Sequence, residues 1–242
     1  IDTAKALAAA RGGRVCAVPT TLSGAEMTGG HRLVPGFEDR GRHRPVLVLA
    51  DPALMTGQRL DDRRASAMNA LAHAAEALYG TGRNPVAGMA ATAAAGLIAA
   101  GLSDDTPEAS ARLALGSLLA AYAMDSAGYS LHHVLCQTIV RLCATPHAAT
   151  NAAMLPHVLQ AMREREPDAV AAFADALAVP VDAVAAKVAD IGAARSLDEL
   201  GVHAEALGAV ADAALDRPEL RAMTPPPDRD ELLSLLRQAY RR

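Results

Sequence analysis

The chain is rich in apolar residues but nearly free of aromatic ones, and this imbalance limits the kind of core it can build. Of its 242 residues, 51% are hydrophobic, only 2% are aromatic and none is Trp. Alanine supplies much of the apolar share, so we predict a core of closely packed helices with small side chains. A chain of this length buries enough surface to fold without disulfides or structural metals.

Strand patterns are confined to the first fifty residues. Apolar runs at 15–18 and 46–50 predict two strands, and the uninterrupted second run indicates burial on both faces, as in a parallel sheet. Otherwise the pattern is helical. The predicted helices span 2–11, 60–80, 85–103, 108–127, 129–142, 146–164, 167–178, 181–193, 203–215 and 229–241.

The predicted fold class is therefore an α/β fragment followed by an all-α helical domain. We interpret residues 1–52 as the C-terminal remnant of a nucleotide-binding α/β domain and residues 53–242 as an all-helical domain that carries the catalytic or metal-binding locus. Two strands do not form a stable independent sheet. We expect another segment to complete them, either an N-terminal part of a larger molecule or a partner chain.

Charge and cysteine content argue against several functions. The net charge of −4 is unfavourable for a dedicated nucleic-acid surface. No apolar run reaches the length of a membrane span. Three cysteines do not describe a disulfide framework and fit a reducing compartment. We expect a cytoplasmic protein with no nucleic-acid or membrane partner.

Two pairs of polar residues are spaced to share a helix face. Asn69 and His73 lie four residues apart among small apolar residues, and His133 and Gln137 repeat this spacing on a later helix. Such pairs can build a buried polar site. Each pair, taken alone, is also compatible with a structural core histidine, and for Asn69 and His73 that interpretation is favoured because polar pairs at this spacing are common.

A third histidine lies at a predicted helix start. Thr145 fits the N-cap and Pro146 fits the first helical position, which places His147 in the first turn. The helix dipole disfavours a charged imidazole there, so we expect His147 to be neutral and able to accept a hydrogen bond or ligate a metal. By itself it is also compatible with an ordinary surface histidine.

A loop rich in hydroxyl groups and glycine follows the first predicted strand. It contains Thr20, Thr21, Ser23 and Gly24. Loops at the carboxyl ends of strands are where α/β sheets bind phosphate or ribose. Many loops of this composition are only turns, so the pattern alone is weak evidence.

Taken together and in this order, the segments resemble the iron-containing alcohol dehydrogenase superfamily, with its dehydroquinate-synthase-like fold, and within it the maleylacetate reductase branch. The first matching segment is similar to the end of the family's Gly-Gly-Gly-Ser-x-x-Asp-x-x-Lys loop. The matching segments are Ile1–Lys5, Pro19–Thr28, Asp51–Met55, Met68–Tyr79, Leu131–Cys136, Pro146–Ala148 and Leu155–His157.

The resemblance implies that the family's metal-ligand set of one Asp and three His falls on Asn69, His73, His133 and His147. An amide oxygen binds a divalent cation less strongly than a carboxylate. We therefore expect a polar histidine cluster without tightly held iron, while a weak Zn²⁺ or Fe²⁺ site on the three histidines stays open. Gln137 stands where the family usually has a further histidine, and Gln does not transfer protons near neutral pH.

The resemblance also implies NAD(P)H-dependent reduction of maleylacetate to 3-oxoadipate, with a small carboxylic acid as substrate and a homodimer as the assembly. The histidines would stabilise enolate charge and anchor a carboxylate, and a protonated one would suit a dicarboxylate. The implied cofactor-binding positions are Asp2, Thr20, Thr21, Ser23, Gly24, Leu54 and Met55.

Two other functions stay open. One is a repurposed non-redox enzyme or pseudoenzyme of the same fold that acts on a small acid, suggested by the start at Ile1 and by Gln137. The other is a non-catalytic subunit completed by another chain, suggested by the open edges of two short strands.

Overall fold

The computed structural model describes residues 1–30, 41–192 and 195–241. Two short strands and a series of helices follow one another along the chain. In order they are α1 (Asp2–Arg11), β1 (Cys16–Ala17), β2 (Leu47–Val48), α2 (Pro52–Thr56), α3 (Leu60–Tyr79), α4 (Pro85–Gly101), α5 (Pro107–Ala127), α6 (Leu131–Cys143), α7 (His147–Arg165), α8 (Pro167–Ala176), a 3₁₀ turn (Val181–Ala183), α9 (Val184–Gly192), α10 (Ala206–Leu215), α11 (Pro218–Arg221) and α12 (Arg229–Tyr240).

The two strands pair in parallel, with Cys16 opposite Leu47. The parallel pairing agrees with the sequence pattern, but the expectation of burial on both faces is wrong. Val46, Leu47 and Leu49 are 53%, 48% and 54% exposed. The physical reason is that β2 has one strand neighbour and, within the described residues, no helix packs closely over its apolar side chains.

Helix α3 is the centre of the helical part. It packs against α4, α5, α6, α7, α8 and α9. Every residue from 66 to 77 is buried, including four polar ones. Because a helix turns once every 3.6 residues, these four lie on one face. We call them the α3 polar stripe: Ser66, Asn69, His73 and Glu76.

The neighbouring helices begin as their sequences predict. The side chain of Asn84 accepts a hydrogen bond from the backbone N–H of Ala87 at 3.0 Å, just before Pro85 starts α4. Thr106 caps α5 in the same way, accepting from the N–H of Ala109 at 3.1 Å. These caps fix where both helices enter the core.

Helix α7 starts one residue later than predicted. Pro146, and not Thr145, occupies the N-cap, and no side chain caps this end. The Thr145 hydroxyl pairs instead with the Thr150 hydroxyl at 2.8 Å, so it is not used for capping. The short helices α2 and α11 were not predicted, and the last residue of the predicted helix 181–193 lies outside the described residues.

The structure also bears on two other expectations, the absence of a membrane span and the state of the cysteines. Along the described stretches, no single helix combines the length and the apolar character that crossing a bilayer requires. All three cysteines are free thiols, with Cys16 exposed, Cys136 buried and Cys143 between the two.

Replacing Gly116 with Ala is expected to destabilise the protein, because α4 and α5 cross closely there. A Cβ atom at this position would lie 2.8 Å from Cγ1 of Ile98 and 3.1 Å from the carbonyl oxygen of Ala94. Overpacking costs about 1–3 kcal/mol, which outweighs a helix-propensity gain of about 1 kcal/mol. Denaturant unfolding measures the difference.

Gly88→Ala is the matched control, since the nearest atom to its added Cβ would be 4.0 Å away. This variant should keep or raise the free energy of unfolding. Equal losses in the two variants would contradict the close helix crossing.

Candidate active site

The loop after β1 is anchored on the α3 polar stripe. The backbone N–H of Leu22 donates to the Ser66 hydroxyl at 2.9 Å. The amide nitrogen of Asn69 donates to the carbonyl oxygen of Ser23 at 3.3 Å. Two residues of the stripe therefore hold the loop by its backbone, and this leaves the loop's side-chain hydroxyls available for other contacts.

Gly24 brings this loop into contact with the histidine cluster. Its φ of 78° lies in the left-handed region, which favours glycine. A Cβ here would lie 2.5 Å from Cβ of Ala121 and 3.4 Å from both Cε1 and Nδ1 of His73. No larger residue fits this position without displacing its neighbours, so the predicted cofactor loop and a predicted site histidine are directly adjacent.

His73 and His133 are brought together as the sequence predicts. Their rings stack with centroids 4.7 Å apart and planes inclined by 21°. Tyr129 packs against His133 at 6.1 Å. Both histidines are only 4% exposed. Asn69 completes the cluster, because its amide nitrogen lies 3.4 Å from Nε2 of His73.

Glu76 is the partner of His133 that the sequence interpretation missed. This carboxylate is fully buried. One of its oxygens, Oε1, accepts from the backbone N–H groups of Ser130, His132 and His133 at 3.1, 2.7 and 3.3 Å. The other, Oε2, lies 2.6 Å from Nδ1 of His133. Glu76 thus caps the N-terminus of α6, where the unpaired N–H groups favour a negative charge.

His132 has a separate set of partners, Asn151 on α7 and Cys136 on its own helix. Its Nε2 lies 2.7 Å from Oδ1 of Asn151, whose amide nitrogen donates to the carbonyl oxygen of His147 at 2.8 Å. The thiol of Cys136 packs against the same ring at 3.6 Å. His132 is therefore a structural link between α6 and α7.

The two remaining predicted residues lie at the margin of the cluster. His147 starts α7 and is partly buried, close enough for its charge to lower the pKa values of His73 and His133. Gln137 accepts a hydrogen bond at 3.1 Å from Nη2 of Arg217, which also bonds to the hydroxyl of Tyr129 at 3.0 Å.

Burial keeps the clustered histidines neutral. It lowers the pKa of His133 to about 3 and that of His132 to about 3, and it lowers the pKa of His73 well below its ordinary value. At neutral pH, His73 and His133 are therefore not the protonated group expected for a dicarboxylate. Burial raises the pKa of Glu76 to about 7, against the opposing effects of His132 and the α6 backbone.

The predicted cofactor positions are distributed unevenly. Thr20 and Ser23 are exposed, and the Thr21 hydroxyl donates to that of Ser23 at 3.1 Å. Leu54 is 48% exposed, but Met55 is fully buried in the core. This corrects the expectation for Met55, because the inner face of α2 packs against α5 and, of these two residues, leaves only Leu54 at the surface.

Asp2 lies at the first turn of α1 beside a buried lysine. Its carboxylate is 3.9 Å from Nζ of Lys5, which donates to the carbonyl oxygen of Ala25 at 2.7 Å and contacts the Thr28 hydroxyl at 3.2 Å. Burial lowers the pKa of Lys5. Lys5 thus fastens the far end of the loop, a role that the sequence did not indicate.

The histidine cluster lacks the geometry that a tightly bound metal ion requires. Zinc–nitrogen bonds of about 2.0–2.1 Å require lone pairs that converge on one point. The stacked rings of His73 and His133 have nearly parallel planes 4.7 Å apart between centroids, so lone pairs that lie in those planes do not readily meet at one point. Within the part of the chain that the structure describes, no group of three or more His, Cys, Asp or Glu side chains is arranged to hold a metal ion. The residues in this arrangement do not fit a tightly bound metal.

Comparison with known proteins identifies the family. Residues 64–240 match the description "Fe-containing alcohol dehydrogenase family, C-terminal". This match covers well over half of the chain, which therefore belongs to the Fe-containing alcohol dehydrogenase family. The result confirms the resemblance inferred from the motifs.

Individual relatives agree with this assignment. Maleylacetate reductase 1 of Rhodococcus opacus is 35% identical over 230 residues, which cover 89% of this chain and 63% of that enzyme. The structure of maleylacetate reductase from Agrobacterium tumefaciens superposes with a TM-score of 0.86 at 29% identity, covering 99% of this chain and 71% of that one. An iron-containing alcohol dehydrogenase from Corynebacterium glutamicum gives 0.89 at 27% identity, covering 99% and 70%.

These superpositions confirm the predicted fold class, a partial α/β region followed by a helical domain. The chain spans slightly less than two thirds of the length of the Rhodococcus enzyme.

The free energy of unfolding is expected to fall as the pH is lowered from about 7 to about 4. The unfolded chain protonates His132 and His133 near 6.5, whereas the folded chain protonates them only near 3. Each histidine then costs of the order of 1 kcal/mol per pH unit in this window. Glu76 acts in the opposite direction, because its raised pKa lets the folded chain take up its proton first. The histidines outnumber it, so the net effect is a loss.

Urea unfolding at several pH values, with His132→Gln and the exposed His203→Gln, checks this prediction. The first variant should flatten the dependence on pH and the second should leave it unchanged. A wild-type profile without a slope would show that the buried histidines are not neutral.

Proposed function

We propose that the protein is an NAD(P)H-dependent reductase of the maleylacetate type, with the loop after β1 and the histidine cluster forming its active site. The observation that carries the proposal is the close approach of Gly24 to His73, where an added Cβ would lie 3.4 Å from the ring, so that the hydroxyl-rich loop lies beside the buried polar cluster. Relatives named maleylacetate reductase, 32–35% identical, support the substrate class.

The loop is suited to the phosphate and ribose groups of a dinucleotide. Thr20, Thr21 and Ser23 offer hydroxyls at the carboxyl end of β1, the edge of a parallel sheet where nucleotides bind. Leu54 adds an exposed apolar side chain after β2. The bound cofactor supplies a hydride, which together with one proton adds across the C=C bond of maleylacetate to give 3-oxoadipate and the oxidised nicotinamide.

The neutral histidine cluster is suited to stabilise an enolate oxygen by hydrogen bonding. The amide nitrogen of Asn69 is placed to donate to Nε2 of His73, which leaves the His73 proton on Nδ1. That atom is buried and has no partner among the described residues. A hydrogen-bond donor of this kind, held in place before the reaction, stabilises negative charge that develops on a substrate oxygen.

Arg217 is suited to bind a substrate carboxylate at the edge of the cluster. Its side chain is 23% exposed, and Nη2 bonds to Tyr129, whose ring packs against His133. The guanidinium also pairs with Glu219 through Nε and Nη2, while Nη1 makes no hydrogen bond within the described residues. Planar guanidinium groups bind carboxylates through paired N–H donors.

The complete product of the gene is expected to oxidise NADH or NADPH when maleylacetate is added, with one 3-oxoadipate formed per cofactor consumed. Loss of nicotinamide absorbance and product analysis by mass spectrometry measure both quantities. A protein that binds neither cofactor would refute the proposed function.

The same experiment distinguishes the proposed reductase from a second candidate, a subunit that is completed by another chain. The half-exposed Val46, Leu47 and Leu49 favour it. This candidate predicts activity only after a partner protein is added, whereas a monodisperse, active preparation of one gene product would count against it.

Arg217→Gln is expected to raise KM for the dicarboxylate about 10- to 100-fold, the loss that corresponds to one charged hydrogen bond of roughly 1.5–3 kcal/mol. Steady-state kinetics in both substrates measures it, and KM for the cofactor should change little. Arg221→Gln is the matched control, because Arg221 is 64% exposed and bonds to the carbonyl oxygen of Leu215 and the surface carboxylate of Asp216, away from the histidine cluster. Similar kinetics for both variants would remove Arg217 from substrate binding.

A further inference from the structure

We propose that Glu76 is a positioning residue that holds His133 in the tautomer protonated on Nδ1. Nε2 of His133 is then presented to the active site as a hydrogen-bond acceptor. The adjacent His132 is held in the opposite tautomer, protonated on Nε2, by Asn151. Two neighbouring histidines thus carry opposite tautomers, each fixed by one buried partner.

The hydrogen bonds around the Glu76 carboxylate determine which atoms donate. Backbone N–H groups can only donate, so the three that meet Oε1 of Glu76 require it to be an acceptor. Three such donors at the N-terminus of α6 favour the ionised carboxylate. At a pH above its raised pKa of about 7, Glu76 is ionised and has no proton to give, so the 2.6 Å contact of Oε2 is then a hydrogen bond donated by Nδ1 of His133.

The contact with Asn151 determines the tautomer of His132 in the same way. The amide nitrogen of Asn151 donates to the carbonyl oxygen of His147, which identifies the other amide atom as the oxygen. Because this oxygen can only accept, the 2.7 Å contact requires a proton on Nε2 of His132.

The assigned tautomers limit which substrate groups the cluster can bind, and this consequence rests on the proposed function. Nε2 of His133 and Oδ1 of Asn69 are both buried and without partners among the described residues. In the assigned tautomer both are acceptors, whereas Nδ1 of His73 is a donor. The cluster therefore recognises a group that both donates and accepts, such as an enol hydroxyl. His133 in this state cannot supply the proton that completes the reduction, and it can only receive one.

The test is histidine ¹⁵N NMR of the complete protein, which separates protonated from unprotonated ring nitrogens. His132 and His133 are assigned by replacing each in turn with Gln. At a pH well above 7, where Glu76 is ionised, wild-type protein should show a protonated Nδ1 in His133 and a protonated Nε2 in His132. A protonated Nε2 in His133 would overturn the proposal, and this result requires no Glu76 variant to fold.

Glu76→Gln tests the cause of the tautomer. The Gln oxygen is expected to keep the three backbone donors of α6, so its NH₂ group turns toward Nδ1 of His133 and forces the proton onto Nε2. The two ¹⁵N signals of His133 should exchange character while those of His132 stay unchanged. Glu26→Gln, at a second buried glutamate, is the matched control and should alter neither histidine. An unchanged His133 in the Glu76 variant would refute the positioning role.

The kinetic counterpart is a fall in kcat of roughly 10- to 100-fold for Glu76→Gln, the effect of removing an outer hydrogen-bond partner of a site histidine, with KM for the cofactor nearly unchanged. The NMR result does not depend on activity. Absence of turnover in the wild type would therefore remove the proposed function and leave the tautomer assignment standing, whereas a wild-type kcat in the variant would contradict the role of Glu76.

Discussion

The contact between the Glu76 carboxylate and the N-terminus of α6 is the interaction on which the site depends. A buried carboxylate is costly unless its oxygens are hydrogen-bonded, and Glu76 is fully buried with four donors around it. The same atoms fix the start of α6 and the orientation of the His133 ring. One side chain of α3 thereby determines where the second helix begins and how its histidine meets His73.

The α3 polar stripe extends this principle along a single helix. Ser66 and Asn69 hold the backbone of the loop after β1, His73 stacks on His133, and Glu76 holds α6. A core of small side chains suits this design, because α4 and α5 can approach α3 closely and keep it rigid. The site therefore forms where the α/β region meets the helical region, and both of its sides are fixed on α3.

Local patterns predicted the parts of this site that are encoded within one helix. The spacing of Asn69 and His73 placed them on one face, and the motifs placed His133 beside them. Glu76 lies three residues beyond His73 on that same face, so helical spacing could have included it. Its role stayed hidden because its donors are backbone N–H groups 54 to 57 residues further along, which no side-chain pattern reveals. The prediction that β2 is buried on both faces was wrong for a related reason. An apolar run shows that a strand is able to be buried, but it does not show whether a covering layer is present.

Gln137 helps to explain why the histidine cluster stays neutral. Its amide oxygen accepts a hydrogen bond from Arg217, whose positive charge would oppose a protonated imidazole at the same place. A glutamine there keeps the hydrogen bond and avoids the repulsion, but it cannot relay a proton. The positive charge at this edge is thus carried by Arg217, where Glu219 partly offsets it, while the buried rings stay neutral. In the proposed function, different residues would therefore handle substrate charge and proton movement: Arg217 would bind the carboxylate, and the reacting oxygen would meet imidazole nitrogens whose protons are fixed by Asn69 and Glu76.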